Sequence, residues 1–266
     1  MKMIWPNQLI SDFFGKLGTL IISGCRNLTN IIPPNMLRTL QNLKELKIYD
    51  CDSLEEVFEI RGTNNVEESR DIAATELTSL KLRNLEKVKH VWSKDPQGII
   101  TFAKLHTIEI EGCSNLKSVF PTSVAKALLQ LERLRIWDCA TVEEIIAKQE
   151  GMETTTLFVF PQLTTLKLQN LPELKSFYPG NHTSEWPSMI ELNILQCNKL
   201  EIIIFSKESS IKETNGLGHH ASLILQPLFF VEKVRSNYKL QLSYFFLSVF
   251  ILFGFNYFYV KLLIIC

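Results

Sequence analysis

The sequence predicts an α/β solenoid in which short parallel strands stack into one sheet on the concave side, with short helices or irregular segments returning on the convex side. Three observations predict this fold class. One apolar pattern recurs seven times along the 266-residue chain. The strand-like part of each copy alternates apolar and polar residues with a period of two. A single copy cannot bury its own apolar face, so the copies have to stack.

The repeating unit is L-x-x-L-x-I-x-x-C-x-x-L-x-x-I. Its copies begin at Leu17, Leu43, Leu77, Leu105, Leu131, Leu163 and Met189. This is the pattern of leucine-rich repeats. The Cys position holds Cys25, Cys51, Leu85, Cys113, Cys139, Leu171 and Cys197. Since five of the six cysteines share one repeat position, we expect them to be core residues rather than nucleophiles, metal ligands or disulfide partners.

The sequence also repeats with a longer period of three units. The order Cys, Cys, Leu at the variable position occurs twice, and the first copies of the two series begin at Leu17 and Leu105. The array is therefore predicted to be a duplicated block of three repeats, with a third block begun at Met189.

Four regions are predicted along the chain. Residues 1–16 are the end of a truncated preceding repeat, and residues 17–212 are the leucine-rich-repeat solenoid of seven repeats. Residues 213–239 are a polar linker, and residues 240–266 are a hydrophobic tail.

The return segments between repeats are partly predictable. Residues 121–129 have the pattern of a short helix with Thr122 or Ser123 as its N-cap. Apolar residues three positions before a unit, such as Phe102, Leu128, Phe160 and Trp186, are expected to anchor each return to the core. The longer polar spacers at 61–76, 148–156 and 179–185 are predicted to be surface loops.

The tail has two open interpretations. Residues 240–260 contain no charged residue and are long enough to cross a bilayer as a helix. Lys233, Arg235 and Lys239 precede them, which favours a membrane anchor with the repeats in the cytosol. The alternative is that the Phe-, Tyr- and Ile-rich tail is translated non-coding sequence from an unspliced transcript.

Several function classes are excluded by composition and motifs. The chain has 28 basic and 28 acidic residues, so it lacks the basic excess of a nucleic-acid-binding protein. It contains no phosphate-binding loop, no G-x-S-x-G elbow and no H-E-x-x-H motif. His219 and His220 fit a solvated loop better than a metal site, because no third ligand lies nearby. We therefore expect no enzyme activity, no cofactor and no metal.

The outward positions of the predicted strands are the candidate binding site. Their central column is Ile21, Lys47, Lys81, Glu109, Arg135, Lys167 and Asn193. Basic residues dominate this column, and aromatic residues flank it. The predicted partner-binding residues are Lys47, Tyr49, Lys81, Arg83, Glu109, Arg135, Trp137 and Lys167. This face is either a strip that prefers acidic protein surface or an ordinary solvated sheet face.

The residues 43–58, together with Ile4-Trp5-Pro6 and the segment 91–98, resemble plant disease-resistance proteins of the coiled-coil nucleotide-binding leucine-rich-repeat class. The resemblance covers roughly residues 1–234. It implies that the repeats sense pathogen effectors or guarded host proteins and hold a nucleotide-binding switch inactive. The chain departs from the family pattern, because it contains no coiled coil and no nucleotide-binding domain and both ends look cut.

The sequence as a whole predicts a cytoplasmic, non-catalytic recognition or regulatory module of plant defence that binds a protein partner on its concave face. The partner would be a pathogen effector, a guarded host protein or a nucleotide-binding domain. One alternative is a membrane-anchored decoy or adaptor, tethered through residues 240–260. Another is the substrate receptor of a ubiquitin ligase, for which residues 1–16 are too short to supply an F-box-like segment.

Overall fold

The computed structural model describes residues 16–33, 42–60, 73–148, 156–180 and 182–200, together with strands at 239–244 and 260–265. Most of the predicted preceding repeat and polar linker therefore lies outside the described residues.

The secondary structure is almost entirely β. The strands are β1 (Thr19–Ser23), β2 (Asn30–Ile32), β3 (Glu45–Tyr49), β4 (Glu56–Phe58), β5 (Ala73–Ala74), β6 (Ser79–Arg83), β7 (His90–Trp92), β8 (Ile100–Thr101), β9 (Thr107–Glu111), β10 (Ser118–Phe120), β11 (Arg133–Trp137), β12 (Glu144–Ile146), β13 (Thr156–Val159), β14 (Thr165–Gln169), β15 (His182–Glu185), β16 (Glu191–Leu195), β17 (Lys239–Tyr244) and β18 (Val260–Ile265). One helix, α1 (Thr122–Ala127), lies within the described part of the chain.

The main sheet takes one strand from each repeat. Its order is β1-β3-β6-β9-β11-β14-β16, and β17 and β18 extend it. The seven repeat strands are parallel and in register, so that Leu20, Leu46 and Leu80 lie opposite one another, followed by Ile108 and its counterparts. This confirms the predicted solenoid with its parallel sheet.

Each of the seven repeat strands of the main sheet is followed by a residue with left-handed backbone geometry. These residues are Gly24, Asp50, Asn84, Gly112, Asp138, Asn170 and Gln196, with φ between 50° and 68°. Gly, Asn and Asp tolerate this conformation best. The turn lets the chain leave the strand while its N–H continues the ladder, as in the bond from Asp138 N to Gln169 O at 3.1 Å. In six of the seven copies the sequence shows this column as a Gly, Asp or Asn immediately before the Cys or Leu position, and in the seventh copy as Gln196. Our sequence analysis missed this signal.

Four of the five repeat cysteines lie in the core, as predicted. Cys51, Cys113, Cys139 and Cys197 are buried and free. Each thiol donates to the carbonyl oxygen two residues earlier, for example from Cys139 to Trp137 at 3.3 Å. Burial raises the pKa of the Cys197 thiol to about 11. The Cys197 thiol is therefore a protonated core group at neutral pH.

The core prediction is wrong for Cys25, which is exposed. It follows β1, the first strand of the main sheet. In the described part of the chain no earlier repeat stacks on this strand, so the side chain is not covered from that side.

Among the described residues, the return side of the solenoid contains four small parallel sheets rather than one continuous sheet. Their orders are β2-β4-β7, β5-β8, β10-β12 and β13-β15. The predicted anchors Phe102, Leu128 and Phe160 are fully buried. Phe102 packs edge-on against the rings of Phe58 and Trp92, at centroid distances of 5.0 and 5.4 Å. An aromatic cluster thus joins the return segments of neighbouring repeats.

The predicted helix is present, but its predicted cap is wrong. Pro121 occupies the N-cap position, and neither Thr122 nor Ser123 caps the helix with its own side chain. Asp95, from the preceding repeat, accepts hydrogen bonds from the Ser123 N–H at 3.1 Å and from the Ser123 hydroxyl. The cap therefore crosses from one repeat to the next, and spacing within the helix segment could not reveal it.

Two of the predicted loops contain short strands. Ala73–Ala74 pairs with Ile100–Thr101, and His182–Glu185 pairs with Thr156–Val159. Stacking gives even these polar spacers a neighbouring segment with which to pair.

Strands lie at the two ends of the hydrophobic tail, for which a membrane-spanning helix over residues 240–260 is one of two open interpretations. β17 pairs antiparallel with β16, and β18 pairs antiparallel with β17. Residues 245–259 lie outside the described residues. Among the described residues, no helix is long and apolar enough to span a membrane.

Candidate partner-binding face

The outward side chains of the seven repeat strands form one surface, which we call the outer face. It consists of three columns across the strands: Thr19, Glu45, Ser79, Thr107, Arg133, Thr165, Glu191; Ile21, Lys47, Lys81, Glu109, Arg135, Lys167, Asn193; and Ser23, Tyr49, Arg83, Glu111, Trp137, Gln169, Leu195. Of these residues, Thr107 and Asn193 are buried. The strand register is the one that the sequence predicts. Whether this face is concave stays a prediction.

The two aromatic residues lie in the same column of the outer face. Tyr49 and Trp137 are both partly exposed, and the strands carrying Arg83 and Glu111 lie between them. Three strand spacings separate the two rings by about 14 Å along the sheet. Both rings therefore lie on the same side of the basic column. Arg83 and Glu111 lie between them in their own column.

Glu109 forms ion pairs with two basic residues of the central column. Its carboxylate lies 2.8 Å from Lys81 Nζ and 3.3 Å from Arg135 Nη1. Only 18% of the Glu109 side chain is exposed, so both ion pairs are partly shielded from water. The buried Nε of Arg135 has no hydrogen-bond partner among the described residues. Arg135 is held in place by Glu109 without having all of its donors satisfied.

The other basic residues of the outer face are paired as well. Arg83 lies 2.8 Å from Glu111, and Lys167 lies 2.8 Å from Glu191. Lys47 donates to Glu45 at 2.7 Å. The hydrogen bond and the attraction between them lower the pKa of the Glu45 carboxyl and raise the pKa of Lys47.

Charge on the outer face is therefore largely balanced within the face. The three columns hold six basic residues, but also four glutamates, and Arg133 lies 3.5 Å from Glu132 beside them. The predicted basic column is real, but each of its four cations lies beside a carboxylate. The sequence analysis did not use these pairs, although Glu45, Glu111 and Glu191 occupy outward positions in register with the cations.

The outer face combines exposed apolar, aromatic and charged side chains. Ile21 is 59% exposed at one end of the central column, and the aromatic pair lies beside the paired charges. Aromatic and Arg side chains commonly anchor protein interfaces. Within the residues that the structure describes, no cluster of three or more His, Cys, Asp or Glu side chains could hold a metal ion.

Comparison with known proteins gives one family and several relatives. Residues 1–140 match the model of the leucine-rich repeats of RPS2-like plant disease resistance proteins. The chain is 30% identical over 105 residues to the probable disease resistance protein At4g27220 of Arabidopsis thaliana, an alignment that covers 39% of this chain and 11% of that protein. It is 32% identical over 111 residues to the probable disease resistance protein At1g12290 of the same plant, covering 41% of this chain and 12% of that protein.

A third relative is the disease resistance protein SUMM2 of Arabidopsis thaliana. It is 29% identical over 109 residues, which are 41% of this chain and 12% of that protein. The chain thus spans only about an eighth of the length of these relatives. No solved structure matches the chain.

Proposed function

The chain belongs to the leucine-rich-repeat family of RPS2-like plant disease resistance proteins, and we propose that it is a non-catalytic recognition module that binds a protein partner on its outer face. The partner is a pathogen effector, a guarded host protein or the nucleotide-binding domain of a resistance protein. The observation that carries the proposal is the outer face itself, where seven strands in register present Tyr49 and Trp137 beside an ordered row of paired charges.

The electrostatics of the face favour a specific kind of recognition. Because Lys81 and Arg135 share Glu109, a partner carboxylate has to compete with a carboxylate already in place. The ion pairs hold long side chains in one arrangement, which lowers the entropy lost on binding. We propose that the aromatic pair supplies most of the affinity and that the paired charges select orientation and partner.

The proposal places the repeats in the cytoplasm. Cys51, Cys113, Cys139 and Cys197 are buried thiols without disulfide bonds, which suits a reducing compartment.

Proximity labelling in pathogen-challenged leaves tests the partner-binding role. The chain fused to a labelling enzyme is compared with Tyr49→Ala/Trp137→Ala. The matched control is Leu129→Ala/Ile190→Ala, which truncates two exposed apolar residues outside the three columns. We expect at least one protein to be labelled by the wild type and the control and to lose at least tenfold of its labelling with the outer-face variant. Equal labelling by all three chains would contradict the proposal.

A charge swap tests the electrostatic part separately. Lys167→Glu/Glu191→Lys keeps an ion pair at the same place but reverses its polarity toward a partner. Circular dichroism should show an unchanged fold, while the association rate of the captured partner should change and its dependence on salt should shift. Unchanged association kinetics would leave the aromatic pair as the recognition element and remove the role of the charges.

A further inference from the structure

Cys25 and Cys51 occupy the same position in the first two repeats and follow neighbouring strands at one end of the main sheet. These strands are in register, with Ser23 opposite Tyr49, and the N–H of Gly24 continues the ladder to the Tyr49 carbonyl oxygen at 3.1 Å. Neighbouring strands lie about 5 Å apart, and the Cα atoms of a disulfide lie about 4.4–6.8 Å apart. The backbone spacing of the two cysteines is therefore suited to a disulfide.

The two thiols have the same local geometry. Each Sγ donates to the carbonyl oxygen two residues earlier, at 3.7 Å for Cys25 and at 3.3 Å for Cys51. The turn after each cysteine is also the same, because each cysteine carbonyl oxygen accepts the N–H three residues later at 3.2 Å. The two side chains therefore project in the same direction from adjacent segments of the chain.

The two thiols differ in exposure. Cys25 is exposed, whereas Cys51 is 0% exposed. Burial raises the pKa of the Cys51 thiol, so its thiolate is scarce at neutral pH. A soluble oxidant can therefore reach Cys25 but not Cys51. Cys51 can react only with a group that is already attached to Cys25.

Cys113 and Cys139 are an internal comparison for this pair. They follow strands in the same register, with Glu111 opposite Trp137, and both are 0% exposed. The Cβ atoms of a disulfide lie closer together than those of neighbouring strands. The strand before Cys25 has a neighbour on one side only in the described part of the chain, so the first repeat can make this approach. The strands before Cys113 and Cys139 have neighbours on both sides.

We propose that Cys25 and Cys51 are a modification site at which a low-molecular-weight disulfide, such as oxidised glutathione, produces a reversible cross-link between the first two repeats. The Cys25 thiolate attacks one sulfur of the oxidant, whose S–S bond breaks. A mixed disulfide forms on Cys25, and one glutathione thiolate leaves. The Cys51 thiol then loses its proton to water and attacks the Cys25 sulfur, which releases the second glutathione thiolate.

The two cysteines together lose two electrons, and the oxidant is reduced to two glutathione molecules. The cross-link fastens β1, which carries Ile21 at one end of the outer face, to β3. It does not depend on what the outer face binds.

Oxidation of the full chain with excess oxidised glutathione tests the proposal. The reaction is quenched with acid, free thiols are alkylated, and the tryptic peptides are identified by mass spectrometry. Cys25 lies in the tryptic peptide 17–26 and Cys51 in the peptide 48–61. We expect these two peptides to be joined by a disulfide, at least about tenfold more abundantly than the peptides of Cys113 and Cys139. Dithiothreitol should restore the free thiols.

Two variants separate the steps of the reaction. Cys51→Ala removes the buried thiol and should leave Cys25 as the mixed disulfide with glutathione. Cys113→Ala is the matched control, since it removes an equally buried thiol at the same repeat position. The link between Cys25 and Cys51 should then form to within about twofold of the wild type.

Three results would overturn the proposal. The first is that Cys25 stays unmodified or is joined to a cysteine other than Cys51. The second is that the wild type keeps the mixed disulfide without forming the linked peptides. The third is that Cys113 and Cys139 are joined as readily as Cys25 and Cys51.

Discussion

The main sheet and the return side are built differently, although every repeat contributes to both. The main sheet runs through seven repeats without a break in register, whereas the strands described on the return side form four small sheets. The main-sheet strand and the turn after it keep one pattern in all copies, and the return segments differ in length. The repeats therefore differ in length on the return side and not in the main sheet. As a result, the outer face is regular enough to serve as one surface.

The largest effect should come from the aromatic cluster of the return side. Phe102→Ala leaves a cavity beside Phe58 and Trp92. We therefore expect the free energy of unfolding to fall by about 3–5 kcal/mol. Urea unfolding followed by circular dichroism measures this change. Leu157→Ala, at a side chain that is 50% exposed, is the control and should cost less than about 1 kcal/mol. Similar losses for the two variants would show that the cluster does not hold the return segments together.

The next effect tests the turn that ends each main-sheet strand. Gly112 has φ +64°, and an added Cβ would lie 2.6 Å from Asn84 Oδ1. Asn84 cannot move freely, because its amide donates to Asp50 at 2.8 Å. We therefore expect Gly112→Ala to cost about 2 kcal/mol, from backbone strain and from displacing Asn84.

Gly98→Ala is the matched control for this turn. Gly98 has φ +75° but no atom within 4 Å of an added Cβ, so only the backbone strain of about 1 kcal/mol should remain. If the two alanine variants unfold at the same urea concentration, contact between stacked turns contributes nothing to the main sheet.

A smaller effect is expected from the cap that joins the two blocks. Asp95→Ala leaves the Ser123 N–H without its acceptor and should cost about 1 kcal/mol. Ser123→Ala removes only the hydroxyl and keeps the N–H, so it should cost less. A double-mutant cycle between these positions measures the coupling, and a coupling energy of zero would mean that Asp95 does not act as the cap.

The smallest effect is a stabilisation. Gln196 occupies the left-handed position with φ +54°, where the equivalent residues of the earlier blocks are Gly24 and Gly112. Gln196→Gly removes strain but adds freedom to the unfolded chain, so we expect a net gain of about 0.5–1 kcal/mol. Gln196→Ala keeps the strain and should leave the midpoint of thermal unfolding unchanged. A Gly variant no more stable than the Ala variant would show that this turn is not strained.

Sequence reasoning was most reliable where one short pattern decides the structure. The alternation in Leu134-x-Ile136 and its counterparts predicts the strands, and the fixed spacing of the copies predicts their register. The same register places Tyr49, Lys81 and Trp137 on one face, so the composition of the outer face was predictable. Whether that face binds a partner stays a prediction.

Reasoning failed where the decisive partner lies one repeat away. Asp95 caps a helix that begins 27 positions later, so the local pattern pointed to Thr122 and Ser123 instead. The pairing of Lys81 and Arg135 with one Glu109 likewise depends on three strands lying side by side. The exposure of Cys25 follows from its place at the end of the sheet, and the repeat pattern alone does not distinguish end copies from middle copies.

Hydrogen–deuterium exchange of the full chain, resolved to short peptides, tests most directly that one continuous sheet presents the outer face. The account predicts slow exchange with similar protection for the strands from β3 to β14, and faster exchange in the return segments that join the small sheets. Slow exchange confined to one three-repeat block, with the other block exchanging like the return segments, would contradict it.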